Sequence, residues 1–182
     1  MKILIVVDMQ RDFINLALGT PEAQAIVPNV AKKVEEYANN DDIIIYTRDT
    51  HYDNYLDTME GKKLPVPHCI EGTYGWGISQ VVDIIYDKAF VVDKPTFGYL
   101  GWERALNDFI ISVYEKYTSI DSIELVGLCT DICVISNAMI LKAAYPETPI
   151  IVDASCCAGV TPQSHKNALE AMKMCQIDII GE

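Results

Sequence analysis

The chain has 182 residues, of which 50% are apolar and 22% charged, the composition of a folded protein and not of a disordered one. A chain of this length buries roughly 70% of the surface it exposes when unfolded, so residues 1–182 are expected to form a single domain that needs neither disulfide nor metal merely to fold. Fourteen basic against 26 acidic residues leave a net charge of −12, which repels phosphate backbones and anionic lipid and argues against nucleic acid or a membrane as partner.

The first run, "KILIVV" (2–7), reads as a strand and shows no leader-like pattern. A segment of helical period follows, "IVPNVAKKVEEYANN" (26–40), and then a second strand, "DIIIYT" (42–47). Residues 48–78 break the pattern: they are irregular, rich in glycine and proline, and hold two of the three histidines. Long irregular loops in compact domains are usually functional. Alternation then resumes with strand 89–93, helix 102–118, strand 122–128, helix 131–145, strand 149–154, helix 161–175 and strand 176–180. Thr161 suits an N-cap and Pro162 the first helical position. The apolar runs lack strict polar alternation, as expected of strands covered on both faces, so the fold class is three-layer α/β/α with a mostly parallel, doubly wound sheet. No run reaches the length of a membrane span. The cytoplasm is the expected compartment, with all six cysteines as free thiols.

In such a sheet ligands bind beyond the carboxyl ends of the strands. Asp8, Asp49, Lys94 and the pair Cys129 and Cys133 all fall at such ends. Taken alone, Asp8 fits an ordinary strand-end turn and Lys94 a solvated lysine. Together, a carboxylate, an ammonium and a thiol supply the base, the cation and the nucleophile that amide hydrolysis requires. Cys133 is the better nucleophile, because a helix beginning at Thr130–Asp131 places it in the first turn, where free N–H groups lower a thiol pKa. The N–H groups of Cys129 and Cys133 are placed to face a developing oxyanion. Cys156 and Cys157 are adjacent, a poor spacing for one metal or for a mutual disulfide, and read as core or loop thiols.

The irregular segment offers a second constellation. Asp49 and His51 are two apart and project to one side of an extended chain; Glu60 and His68 follow. Two imidazoles with carboxylates suit zinc, iron or manganese better than calcium or magnesium. Spacing alone does not decide between a metal site and solvated side chains.

Three ordered blocks, "VVDMQRDF" (6–13), "DKPTFG" (93–98) and "VGLCTDICV" (126–134), carry a resemblance over almost the full length. The chain resembles the isochorismatase-like cysteine hydrolases, and within them looks most like the nicotinamidases. The resemblance implies a catalytic triad of Asp8, Lys94 and Cys133, an oxyanion hole of the Cys129 and Cys133 amides, and a cis peptide between Leu128 and Cys129. It implies a divalent metal, zinc first with iron or manganese as alternatives, on Asp49, His51, Glu60 and His68; Asp57 competes with Glu60 for the third position. Members often stack an aromatic ring on the substrate from three residues before the last histidine. Here that residue is Pro65, leaving Phe13, with Phe97, Tyr99 or Trp102 for the other face. The expected substrate is a small-molecule amide, nicotinamide, cleaved to nicotinate and ammonia through a thioester, by a homo-oligomer. The alternatives are a hydrolase of the same scaffold acting on a carbamoyl, ureido or other small amide, and a noncatalytic binding or redox-sensing module.

Overall fold

The computed structural model describes residues 1–84, 86–114 and 119–182. Its elements in chain order are β1 (Lys2–Val7), α1 (Arg11–Ile14), α2 (Pro21–Asn39), β2 (Ile43–Asp49), α3 (Met59–Lys63), β3 (Ala89–Lys94), α4 (Trp102–Tyr114), β4 (Ser122–Leu128), α5 (Ile135–Ala144), β5 (Ile150–Ala158), α6 (Pro162–Met174) and β6 (Asp178–Ile180). The strands pair in parallel in the order β3-β2-β1-β4-β5-β6.

Both faces of the sheet are apolar, which is why the strand sequences run without polar breaks. Leu4, Val6, Ile44 and Tyr46 pack on one face against Val27, Val30 and Val34 of α2. Ile3, Ile5, Ile43 and Ile45 pack on the other against Leu106 of α4, Leu141 of α5 and Met172 of α6. Successive residues of β1 therefore feed opposite layers, as the two-residue period of a strand requires. Each fully buried aliphatic side chain contributes about 1.5–3 kcal/mol. The α/β/α layering and the doubly wound parallel sheet are those expected from the sequence. No described helix is long and apolar enough to cross a membrane.

Several boundaries differ from the sequence expectation. Helix α2 begins at Pro21, five residues before the expected start: Thr20 caps it, its Oγ1 accepting the Ala23 N–H at 3.0 Å. The same Thr-Pro signal opens α6, where Thr161 and Ser164 cap each other reciprocally. β2 runs on to Asp49 and β3 to Lys94, because Arg48 and Asp93 lie in register and pair through two bonds of 2.6 and 2.8 Å. That extension sets Asp49 directly beside Lys94. The expected helix 102–118 is α4; residues 115–118 lie outside the described residues. β5 continues through Cys156 and Cys157, both buried.

From β1 the chain winds outward through β2 to β3, and from β4 it winds the opposite way through β5 to β6. The reversal leaves a crevice beyond the carboxyl ends of β1 and β4. Asp8 and Cys129 are the residues that immediately follow those two ends.

Candidate active site

Asp8, one residue past β1, is fully buried and adopts a left-handed backbone, φ +48°, a conformation that a non-glycine residue holds only when its surroundings impose it. The imposing partner is Thr47 on β2. Its Oγ1 accepts the Asp8 N–H at 3.1 Å and donates to Asp8 Oδ1 at 2.6 Å. The second carboxylate oxygen faces Lys94 Nζ at 2.6 Å. The same ammonium lies 3.5 Å from Cys133 Sγ and donates to the Thr96 carbonyl at 3.2 Å. Three strands thus bring carboxylate, ammonium and thiol into one buried group.

Burial disfavours every charge in this group, and the outcome differs by residue. The Asp8 carboxyl is pushed above its ordinary range by desolvation, which outweighs the attraction of Lys94. Desolvation also works against the Lys94 charge, but the Asp8, Cys133 and Asp49 charges around it prevail and hold its pKa above the ordinary value. The Cys133 thiol is raised well above its usual pKa by burial and by the neighbouring Asp8 charge. This corrects the expectation of a thiol acidified by its helix. Thr130–Val134 forms a single π-helical turn capped by Cys129, and α5 proper starts only at Ile135. A short turn's dipole does not offset full desolvation beside a carboxylate. Burial therefore favours the protonated thiol, with Asp8 at hand to receive the proton. The peptide bond from Leu128 to Cys129 is cis.

Asp49, His51, Glu60 and His68 form the second cluster, with one ligand-type atom from each lying within 4.8 Å of all the others. His51 Nε2 stands 2.9 Å from Asp49 Oδ2 and 3.5 Å from Glu60 Oε1, and His68 Nε2 stands 3.6 and 3.8 Å from the same two oxygens. His68 Nδ1 lies 2.8 Å from the Val66 carbonyl; a proton on Nδ1 donates to it and leaves the Nε2 lone pair aimed at the cluster, a common arrangement of metal-ligating histidines. Asp49 is held below the carboxylate range: burial opposes this, and the bonds to His51 and His68 overcome it. His51 is pushed up to about 9 by Asp49 and Glu60 against the effect of burial. Asp49 Oδ1 is buried without a hydrogen-bond partner, Lys94 Nζ standing 3.7 Å away. A buried carboxylate oxygen left unsatisfied beside two imidazoles and a second carboxylate is what a bound divalent cation satisfies, so these residues fit such an ion. Asp57 lies in the 3₁₀ turn Tyr55–Asp57 and is not one of the four; a residue three further along, Glu60 in α3, turns inward instead.

Both clusters open onto one cavity of about 580 Å³, lined among others by Phe13, Phe97, Glu60, His68, Cys129 and Cys133. Phe13 meets His68 edge-on at 5.4 Å. Tyr99 is not among the lining residues: its ring packs edge-on against Trp102 at 5.3 Å, and Trp102 is fully buried in the core. The side chain at the position beside Pro65 that does reach the cavity is Leu64.

Sequence reasoning missed the residues that hold these groups in place. Gln10, fully buried, accepts the Asp49 N–H at 2.7 Å and donates to the Asp49 carbonyl at 2.9 Å and the Trp76 carbonyl at 2.8 Å. Asp12 accepts the Cys69 N–H at 2.8 Å, next to His68, and the Cys69 carbonyl accepts the His51 N–H at 2.9 Å. Asn137 donates to the Cys133 carbonyl at 2.8 Å and the Phe97 carbonyl at 3.1 Å, and accepts from Trp102 Nε1 at 2.9 Å. An asparagine inside the apolar run of α5 was the available signal, since a polar side chain is rarely buried without partners.

A parallel sheet that gathers thiol, carboxylate and ammonium at its switch point, beside two histidines and two carboxylates, defines an α/β protein with a cysteine-centred site. The chain belongs to the isochorismatase family: the Isochorismatase domain profile matches residues 2–181. It is 27% identical over 190 residues to the nicotinamidase/pyrazinamidase of Mycobacterium tuberculosis, covering 99% of this chain and 98% of that one. It is 26% identical over 220 residues to the nicotinamidase of Saccharomyces cerevisiae, covering the whole of both. Among solved structures, the pyrazinamidase of Pyrococcus horikoshii in complex with zinc superposes with a TM-score of 0.78 at 27% identity, covering 100% of this chain and 99% of that one.

Proposed function

We propose that the protein is a cysteine amidohydrolase that converts nicotinamide to nicotinate and ammonia, with residues 1–182 working as one domain and a divalent metal, zinc first, on Asp49, His51, Glu60 and His68. The observation that carries this reading is the placement of Lys94 Nζ 2.6 Å from Asp8 and 3.5 Å from Cys133, where Cys133 lines the same cavity as Asp49, Glu60 and His68 of the histidine-carboxylate cluster. Names of relatives support the amide; the zinc in the Pyrococcus horikoshii structure supports the metal.

In this reading Asp8 accepts the Cys133 proton while Lys94 balances the charge. The thiolate attacks the amide carbonyl, and the resulting oxyanion is held by the N–H groups of Cys129 and Cys133. The proton passes from Asp8 to the leaving nitrogen, the C–N bond breaks, and ammonia departs from a thioester on Cys133. Water then attacks the thioester with Asp8 as base, the C–S bond breaks, and the acid leaves as the thiol regains its proton. The raised pKa values of Asp8 and Cys133 suit this exchange, because a proton moves readily between groups that both resist charge. When bound, the metal supplies a fixed electrophilic anchor for the heteroatom of the substrate ring. Phe13 bounds the same cavity and is placed to flank that ring.

The test is ammonia release across a panel of small amides, with metal analysis of the purified protein. Nicotinamide should be turned over with the highest kcat/KM and the protein should carry one equivalent of divalent metal. Preference for a carbamoyl or ureido substrate would refute the nicotinamide assignment.

A further inference from the structure

The third histidine, His165, takes no part in the steps derived above. Its Nδ1 lies 2.7 Å from Oγ1 of Thr130. Thr130 is fully buried and follows Cys129 directly, at the start of the turn that ends just past Cys133. The next residue is tied as well: the Asp131 carboxylate accepts the Val160 N–H at 3.1 and 3.3 Å. Two consecutive residues of the turn are therefore anchored, Thr130 to the first turn of α6 and Asp131 to the connection that leads into it from β5. Gly159 permits this, since a Cβ there would lie 2.9 Å from both the Cβ and the backbone N of His165 and force the start of α6 away.

The anchoring has a chemical consequence. Thr130 is the first residue of the turn, so no earlier helical carbonyl is open to its hydroxyl, and a fully buried hydroxyl needs a partner from elsewhere in the fold. The imidazole is that partner, and it ties the backbone on either side of Thr130, with its N–H groups, to α6. Those are the amides of Cys129 and Cys133 that the hydrolase reading assigns to the oxyanion.

We propose that His165 is a positioning residue that fixes the oxyanion-binding turn through the Thr130 hydroxyl without touching substrate. The inference rests on the hydrolase reading for its meaning in turnover. The charged groups around the imidazole are Asp131 from the turn, Glu182 from the chain end and Lys166 from α6; burial outweighs the carboxylates and holds the ring below its ordinary pKa, which favours a hydrogen-bonding role over a charged one.

The experiment compares Thr130→Val, His165→Leu and the double variant with His165→Asn, whose amide reaches the place of Nδ1. Two readouts are taken: kcat and KM for nicotinamide, and the affinity for pyridine-3-carbaldehyde, whose adduct with Cys133 places an oxyanion in the same hole without turnover. Outright loss of an oxyanion-hole donor costs about 10²–10³-fold in kcat; loosening the turn that carries one should cost less, and a fall of about tenfold in kcat and in aldehyde affinity is expected for either single variant, with KM unchanged. The double variant should be no worse than either single one, and His165→Asn should recover most of the loss. Multiplying losses in the double variant, a change confined to KM, or no rescue by asparagine would overturn the proposal. Should His165→Leu fail to fold, the near-isosteric Thr130→Val and His165→Asn carry the test. If the wild-type protein hydrolyses no amide yet captures the aldehyde, the hydrolase reading fails while a tenfold aldehyde effect still supports the positioning role. If it does neither, both fall.

Discussion

Lys94 Nζ sits 2.6 Å from Asp8 Oδ2 with neither side chain exposed to solvent. Desolvating an ammonium and a carboxylate costs several kcal/mol per ion, and the pair persists because each cancels the other's charge and Thr47 satisfies the remaining carboxylate oxygen. The same ammonium lies 3.7 Å from Asp49 Oδ1, so it also links the thiol group to the histidine-carboxylate cluster.

Lys94→Met should therefore lose both activity and stability. Removing one partner of a buried pair strands the other, a cost of about 3–5 kcal/mol. Urea unfolding at neutral pH should show a midpoint well below that of the wild type, together with no measurable ammonia release. A variant as stable as the wild type would mean that the pair is solvated in solution.

Cys133→Ala and Cys129→Ala separate the two cysteines on the cavity wall. The first should abolish ammonia release, since no other group replaces the sulfur, while the removal of one small buried atom costs only about 1 kcal/mol of stability. The second should leave most activity, because only the backbone N–H of Cys129 is used. Equal activity in both variants would refute the nucleophile assignment.

The sheet and the convergence of Asp8, Lys94 and Cys133 were legible in the sequence because burial on both faces writes itself as unbroken apolar runs and because the ionisable residues fall at strand ends. The resemblance alone favours Glu60 over Asp57, and Glu60 is the one that joins the cluster; the residues themselves do not decide, since a 3₁₀ turn followed by a one-turn helix sets which carboxylate faces inward and no periodicity encodes that. The acidity of Cys133 was misread for a related reason: position in a helix is visible in a sequence, whereas complete desolvation beside Asp8 is a property of the packed crevice. Gln10 and Asp12 sit in the very block that marks the resemblance, but their bonds to Asp49 and Cys69 join segments far apart in the chain.

Metal dependence distinguishes the two acidic candidates. Glu60→Gln should lower bound metal and weaken nicotinamide binding by roughly 10–100-fold, the usual effect of disturbing a metal's surroundings. Asp57→Asn should change neither. Chelation of the wild type should raise the Kd for nicotinamide while alkylation of Cys133 continues. Equal binding by chelated and metal-replete protein would remove the metal from the substrate site.

A second ionic group, remote from the cavity, gives a prediction in pH. Lys33 Nζ on α2 lies 2.8 Å from Glu124 of β4 and 2.9 Å from Asp153 of β5. Burial tends to raise the Asp153 pKa, but bonds from Ser155 and Lys33 prevail and hold it below the carboxylate range. A carboxyl whose folded pKa is depressed adds stability that is fully present above its unfolded value, about 3.9, and is lost as pH falls through the folded one. Lys33→Met removes the cation and leaves two carboxylates facing each other, so it should destabilise the protein by about 3–5 kcal/mol at pH 7. As Asp153 takes up a proton in acid, the wild type forfeits the bond that the variant already lacks, and the urea midpoints of the two proteins should converge below about pH 4. A gap that stays constant from neutral to acid pH would show that Lys33 acts through the packing of its methylene chain and not through its charge.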